Sequence, residues 1–347
     1  MKKVTIVDVA AYAGSSMSTV SRVLSDSSYP VAAETRERIL MAATELGYAK
    51  PSGSSRYGRK RNEKEIGVIL PTILNPFYSM ALTGLSSELR NWGYNILIYD
   101  SCRDPDNEIK LLRSLSQKGI TGVILSSLQS DGEVLREFTS REMKIILLDQ
   151  KVDNADCDHV LFEYKNGARQ AVHYLHSIGH RDICFVTTPL TRWTRLETYS
   201  GYRQALIDCG IEYNADMLLI SQVERESNDD IAYETRSGQL MAQEFLRRGA
   251  KGTAALCVND MMAFGFIREL RTNNLRVPED VSVIGFDDIP FAAMFSPSLT
   301  TVHCPAVESG RISAQMLRQK ITGDIHAGFD MKLEAKLIKR DSTMPIG

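Results

Sequence analysis

The sequence lacks the marks of most secreted, membrane and catalytic chains. Its six cysteines (Cys102, Cys157, Cys184, Cys209, Cys257 and Cys304) are scattered, with no CxxC and no histidine at metal-ligand spacing. Reduced, mostly buried thiols are expected, and neither a disulfide framework nor a zinc site. The start, MKKVTIVDVAAYAG, has two lysines but no long apolar run, so no signal peptide or membrane span is expected and a cytoplasmic location is. No GxGxxG opens a helix after a strand, and there is no P-loop, no GxSxG elbow and no HExxH. His176 and His180 are four apart, but Ser177, Ile178 and Gly179 between them end a helix. The expectation is a protein that is not an enzyme and needs no cofactor or metal.

Net charge is small overall, at −2, but it is unevenly placed. Residues 1–65 hold eleven Lys/Arg against seven Asp/Glu, a net +4, which leaves −6 on the rest of the chain. A basic head on an acidic body is the electrostatic footprint of a nucleic-acid-binding module attached to something else. At 347 residues and 43% hydrophobic, the chain can fill two or three domains.

Thr5–Leu24, TIVDVAAYAGSSMSTVSRVL, reads as two short helices around a tight turn. Thr5 and Asp8 fit a capping box. Val9, Ala10 and Ala13 share a face, and Gly14 supplies the turn. Ser16 caps the second helix, whose Val20, Val23 and Leu24 point inward. Ser16, Met17, Ser18, Ser21 and Arg22 are left outside, the face a helix-turn-helix lays in the major groove. A third helix, roughly Ala33–Leu46 and closed by Gly47, is expected to complete a small core with Ile39, Leu40, Ala43 and Leu46. Residues 49–65 then turn to Pro, Gly, Ser and six basic residues, the composition of a tether attracted to phosphates.

From Ile66 onward, short apolar runs alternate with amphipathic stretches. The runs fall at 66–70, 94–99, 122–126, 144–149, 159–162, 182–186, 217–220, 254–258 and 281–286. Helices are expected at Phe77–Trp92, Asp106–Lys118, Tyr164–Ile178, Glu197–Cys209, Ser237–Arg248 and Met261–Thr272. This alternation predicts parallel sheets covered on both faces, and so many strands predict two doubly wound lobes. Ligands of such sheets sit beyond the carboxyl ends of the strands.

The chain resembles the LacI/GalR family of bacterial transcription regulators along nearly its whole length. The carriers are the Thr5–Leu24 segment, VAAETRERILMAATELGY, IGVILPTILNPFY, VNDMMAFGFIRELRTNNLRVPEDVSVIGFDD, SPSLTTVHCP and LIKRDST, in that order. The resemblance implies an all-α helix-turn-helix headpiece (1–48), a basic hinge (49–65) and a periplasmic-binding-protein-like α/β body (66–347). Its two parallel-sheet lobes are expected at about 66–166 plus 297–326, and 167–296 plus 327–347. It further implies a repressor that binds a near-palindromic operator as a homodimer, with a sugar-like effector in the inter-lobe cleft. Without trailing leucine heptads, a dimer is expected rather than a tetramer. A solute-binding protein of the periplasmic type would share the body but has no use for residues 1–65.

The resemblance places Met17, Ser18 and Arg22 at base-reading positions and Thr5, Ser16 and Ser21 near phosphates. Ser15 stands where a valine is usual, and Ala32 where a Ser/Thr cap is. The hinge leucine that wedges the minor groove is missing: Tyr57 or Gly58 takes its place, Tyr57 being preferred because glycine cannot wedge. In the body, Phe77, Tyr78, Ser126, Asp149, Phe162, Tyr233, Asn259 and Asp287 fall at effector-contacting positions. Thr198 replaces an arginine common in sugar-binding relatives, so Arg195 or Arg192, beside Trp193, is expected to supply the cation.

Overall fold

The computed structural model describes residues 4–24, 31–46, 48, 65–222, 233–324 and 329–346. The chain divides into two compact units, residues 1–60 and 61–347. The hinge, with Tyr57 and Gly58, lies outside the described residues.

The small unit is three helices, α1 (Ile6–Tyr12), α2 (Met17–Leu24) and α3 (Ala33–Glu45). Thr5 and Asp8 form the expected capping box, and Gly14 turns the chain at φ +58°. Ser16 Oγ accepts from the Thr19 N–H at 3.2 Å, which caps α2. Ala32 gives α3 no side-chain cap. Val9, Val20 and Ile39 are fully buried, with Ala10, Ala13, Val23, Ala42 and Ala43 around them. Leu40, expected inside, is 47% exposed. The buried stripe of α3 runs Ile39, Ala42, Ala43 and Leu46, and one residue past Ile39 turns Leu40 about 100° away from it.

The body holds two six-stranded sheets, ordered β11-β5-β4-β3-β1-β2 and β12-β10-β9-β8-β6-β7. The strands are β1 (Glu65–Leu70), β2 (Asn95–Asp100), β3 (Gly122–Leu125), β4 (Lys144–Leu148), β5 (Asp158–Phe162), β6 (Ile183–Thr187), β7 (Leu218–Ile220), β8 (Ala254–Cys257), β9 (Ser282–Asp287), β10 (Thr300–His303), β11 (Asp330–Leu333) and β12 (Lys336–Ile338). All pairings are parallel except β10 with β12. The nine sequence-predicted strands are β1–β9. The expected lobe boundaries need correction. Thr300–His303 pairs with β9 in the second lobe, and Asp330–Leu333 pairs with β5 in the first. The chain therefore crosses between lobes after Phe162, after His303 and after Leu333, and α7 (Tyr164–Ser177) already belongs to the second lobe through its packing on α8 (Trp193–Asp208).

Helix pairs cover the sheets at very close range. A Cβ on Gly84 of α4 (Pro76–Asn91) would collide with the Val307 carbonyl of α12 (Ala306–Thr322), and one on Gly310 with the Ala81 carbonyl. Gly238 of α9 (Tyr233–Arg247) and Gly265 of α10 (Asp260–Thr272) do the same between their helices. Such contacts bring backbones together and fix where each helix crosses its partner.

Candidate nucleic-acid face and ligand cleft

On the head, burial of Val20 and Val23 forces Ser16, Met17, Ser18 and Arg22 of the α2 segment outward, and all four are exposed. Ser21 is half-buried. Met17, 56% exposed, is a large apolar side chain left open among the described residues, a disposition suited to a thymine methyl. Two expected phosphate contacts are engaged locally. Thr5 Oγ1 donates to Asp8 at 2.6 Å, and Ser16 Oγ lies 2.8 Å from both Ser18 Oγ and Thr19 Oγ1. These bonds hold the hydroxyls at the start of each helix, beside N–H groups that themselves favour an anion. Replacing Arg22 with alanine is expected to weaken binding to a selected operator by about tenfold or more, while binding to random duplex changes by less than about threefold. Competition titration checks this, and equal losses on both duplexes would contradict it.

In the body, the strand ends of the two lobes meet, and the residues just past them bond across the junction. Asn75 caps α4 by accepting from the Phe77 N–H at 3.0 Å, which sets Phe77 and Tyr78 in the first turn. Tyr78 Oη lies 3.3 Å from Ser126 Oγ, just past β3. Phe77 meets Tyr78 and Phe162 edge-on at 5.3 and 5.7 Å. The aromatic row continues through Tyr164 at 5.8 Å from Phe162, then to Trp193 at 6.1 Å and Phe286 at 5.4 Å. Tyr164, absent from the expected set, donates its hydroxyl to Asp149 across the first crossover.

The carboxylates are unusually placed. Burial raises Asp149 to about 6, against the opposing pull of the Tyr164 hydroxyl, Arg192 and Arg195. Burial also raises Asp287 well above the carboxylate range, helped by Asp260 and Asp149, while Arg195 opposes. Asp287 sits at φ +111°, where its backbone turns sharply at the end of β9. Arg195 is buried and donates through Nε to Thr188 at 3.2 Å. Asn259 is buried and accepts from the Met262 N–H at 2.8 Å, so its carbonyl oxygen caps α10. Thr198 hydrogen-bonds back to Thr194 within α8.

Three further bonds between the lobes went unread in the sequence. Arg103, just after β2, forms an ion pair with Glu234 of α9 and lies 4.7 Å from the Tyr233 ring centroid. Asn75 Nδ2 donates to the same carboxylate at 3.5 Å, and Gln150 Nε2 donates to Thr194 Oγ1 at 3.0 Å. Burial works against the Glu234 charge, but Arg103 holds it below its ordinary range. A signal existed for Arg103, because it follows a strand end as Ser126 and Asp149 do.

Because Asp149 titrates higher in the folded chain than unfolded, it keeps its proton longer when native. Its contribution to body stability therefore falls as pH rises from about 4 to about 6, by about 3 kcal/mol. Asp149→Asn is expected to raise the body's Tm above that of the parent at neutral pH and to lose that advantage near pH 4. An advantage independent of pH would contradict this origin.

Among the described residues no helix is long and apolar enough to cross a membrane. A helix-turn-helix head followed by a body of two parallel-sheet lobes, crossed three times around a polar and aromatic cleft, defines a ligand-responsive, DNA-binding transcription regulator. Residues 5–51 match the bacterial regulatory proteins of the lacI family, and residues 63–341 match the periplasmic binding proteins and sugar-binding domain of that family. The chain belongs to the LacI family. It is similar to the HTH-type transcriptional regulator RegA of Clostridium saccharobutylicum, 32% identical over 98% of this chain and 99% of that one. Among solved structures it resembles the transcriptional regulator CelR–cellobiose complex (28% identity, TM-score 0.73, covering 98% of this chain and 100% of that one). It also resembles the lac repressor dimer bound to operator and the anti-inducer ONPF (26% identity, TM-score 0.71, 99% and 100%).

Proposed function

We propose that this regulator acts as a homodimeric repressor in the cytoplasm, reading a two-fold operator through α2 and responding to a sugar-like effector in the inter-lobe cleft. The carrying observation is the set of lobe-to-lobe bonds, Arg103 with Glu234 and Gln150 with Thr194, placed beside buried carboxylates and aromatic rings. Carboxylates offer directional acceptors to hydroxyls, and rings offer a platform for the apolar face of a sugar. Phe77, Tyr78, Ser126, Asp149, Phe162, Arg195, Tyr233, Asn259 and Asp287 form the effector set in this reading. The solved relatives support it: CelR was captured with cellobiose, and the lac repressor as a dimer on its operator.

A ligand that prefers one lobe arrangement shifts the population toward it, and only by its difference in affinity. Two heads on a two-fold site then bind more or less tightly as the lobes move, and the chemistry needed is recognition alone, with no catalytic step. The dimer also gives the exposed Ile98 of edge strand β2 a partner to pack against. The test is selection of full-length protein on random duplexes at low salt. Enrichment of a two-fold-symmetric sequence is expected. Recovery of no sequence would overturn the reading, and recovery of a single half-site would overturn the dimer.

A further inference from the structure

Arg192 precedes α8 with an extended backbone and gives that helix no side-chain cap. Its Nε and Nη2 atoms are both shut off from solvent, and neither has a hydrogen-bond partner. These two nitrogens form one edge of the guanidinium, with N–H bonds running parallel at the spacing of two oxygens on one carbon or phosphorus. A buried cationic donor left unpaired is costly, so an edge unfilled at both atoms calls for a matching group.

The nearby carboxylates do not fill it. Glu108 accepts from Ser127 Oγ at 2.8 Å and from the Leu128 N–H at 2.7 Å. Asp149 accepts from Tyr164. Arg192 acts electrostatically on both, and Thr194, two residues on, accepts from Gln150 beside Asp149 in the first lobe, which sets the start of this helix at the lobe junction. Asp287 is pushed toward its neutral form by burial, and Glu234 is already paired with Arg103. The lobe junction therefore holds Arg192 and, one turn further on, the buried Arg195. Between them lies the start of a 16-residue helix with no acidic residue in its first turn.

We infer that the effector carries a two-oxygen anion, a carboxylate or a phosphate, which docks on the Nε/Nη2 edge of Arg192. This rests on the cleft being the effector site and narrows that site's ligand to sugar acids or sugar phosphates. Two vicinal hydroxyls can meet the same edge, but only an anion also neutralises the buried guanidinium charge, and those charge-assisted bonds are the stronger ones. Lysine at 192 would keep the charge and lose the paired geometry.

The test is calorimetric titration of full-length protein with matched sets: glucose, glucuronate and glucose 6-phosphate, then the galactose equivalents. An anionic member is expected to bind about tenfold or more tightly than its neutral partner, and the carboxylate and phosphate arms show which anion it is. Arg192→Gln and Arg192→Lys are both expected to remove most of that preference. A second measurement uses acetate and inorganic phosphate against chloride at matched ionic strength, read by melting. Saturable stabilisation by either, lost in both variants, supports the anion edge even where no sugar derivative binds, and then the sugar part of the reading fails alone. Three outcomes would overturn the inference: neutral sugars binding as tightly as their anionic partners, a preference unchanged by both variants, or no anion-specific effect in either measurement. Should Arg192→Gln fail to fold, Arg192→Lys decides.

Discussion

Val20→Asp is expected to abolish operator binding, lowering affinity by at least about a hundredfold, while the body keeps its own melting transition. Val20 is fully buried beside Val9 and Ile39, in a core of eight small and medium side chains. An unpaired carboxylate there costs several kcal/mol, and a three-helix head of this size has only a few to lose. Unfolding the head removes the surface made by Ser16, Met17, Ser18 and Arg22 all at once. The body, residues 61–347, forms its own compact unit with separate cores and is expected to melt as before. Mobility shift and calorimetry on the full chain measure both halves of this expectation. Operator affinity within about threefold of the parent would contradict it.

Gly310→Leu is expected to destabilise the body by at least about 3 kcal/mol, lowering its Tm by roughly 5–10 °C. The obstacle to a side chain here is backbone: Ala81 carbonyl and the Leu85 N–H of α4 occupy the space. Backbone of a neighbouring helix cannot swing aside as the end of a long side chain can. The helices must separate, and α12 would lift its buried Ser313, Ala314 and Leu317 from the first lobe. Because α12 lies between the second and third crossovers, the same change disturbs the seating of both lobes. A Tm within about 1 °C of the parent would show that the two helices have slack the structure does not display.

Much of the architecture is legible because buried parallel strands read as unbroken apolar runs. IGVIL, GVILS and AALCV are of this kind, and β1, β3 and β8 lie where they fall. The three unread strands fail that test for identifiable reasons. TTVH of β10 is half threonine, although both threonines are buried. DMKL of β11 and KLI of β12 are outer strands of their sheets with exposed, charged positions, so their membership follows from pairing and not from composition. The misplaced lobe boundaries follow directly from these strands, since a crossover is set by which sheet accepts β10 and β11.

The site divides along similar lines. Residues at strand ends, Ser126, Asp149 and Asp287, are readable from topology, because parallel sheets deliver their carboxyl ends to one cleft. The lobe-to-lobe ion pair is not, since Arg103 and Glu234 stand far apart in the chain and on different lobes. Tyr164 escaped because a tyrosine opening a helix reads as packing, and only the crossover brings its hydroxyl to Asp149. Between Arg192 and Arg195 the sequence offers no choice. Folding separates them, giving Arg195 Nε a threonine and leaving two nitrogens of Arg192 unfilled.

The central claim is that ligand in the body controls DNA reading by the head. It is tested most directly by titrating full-length protein against the enriched duplex over a series of salt concentrations, with and without the tightest ligand from the sugar sets. The expected result is affinity falling steeply with salt, in proportion to the phosphates neutralised, and a shift of about fivefold or more on adding ligand. Ligand that binds the protein yet leaves the duplex titration unmoved at every salt concentration would contradict the claim.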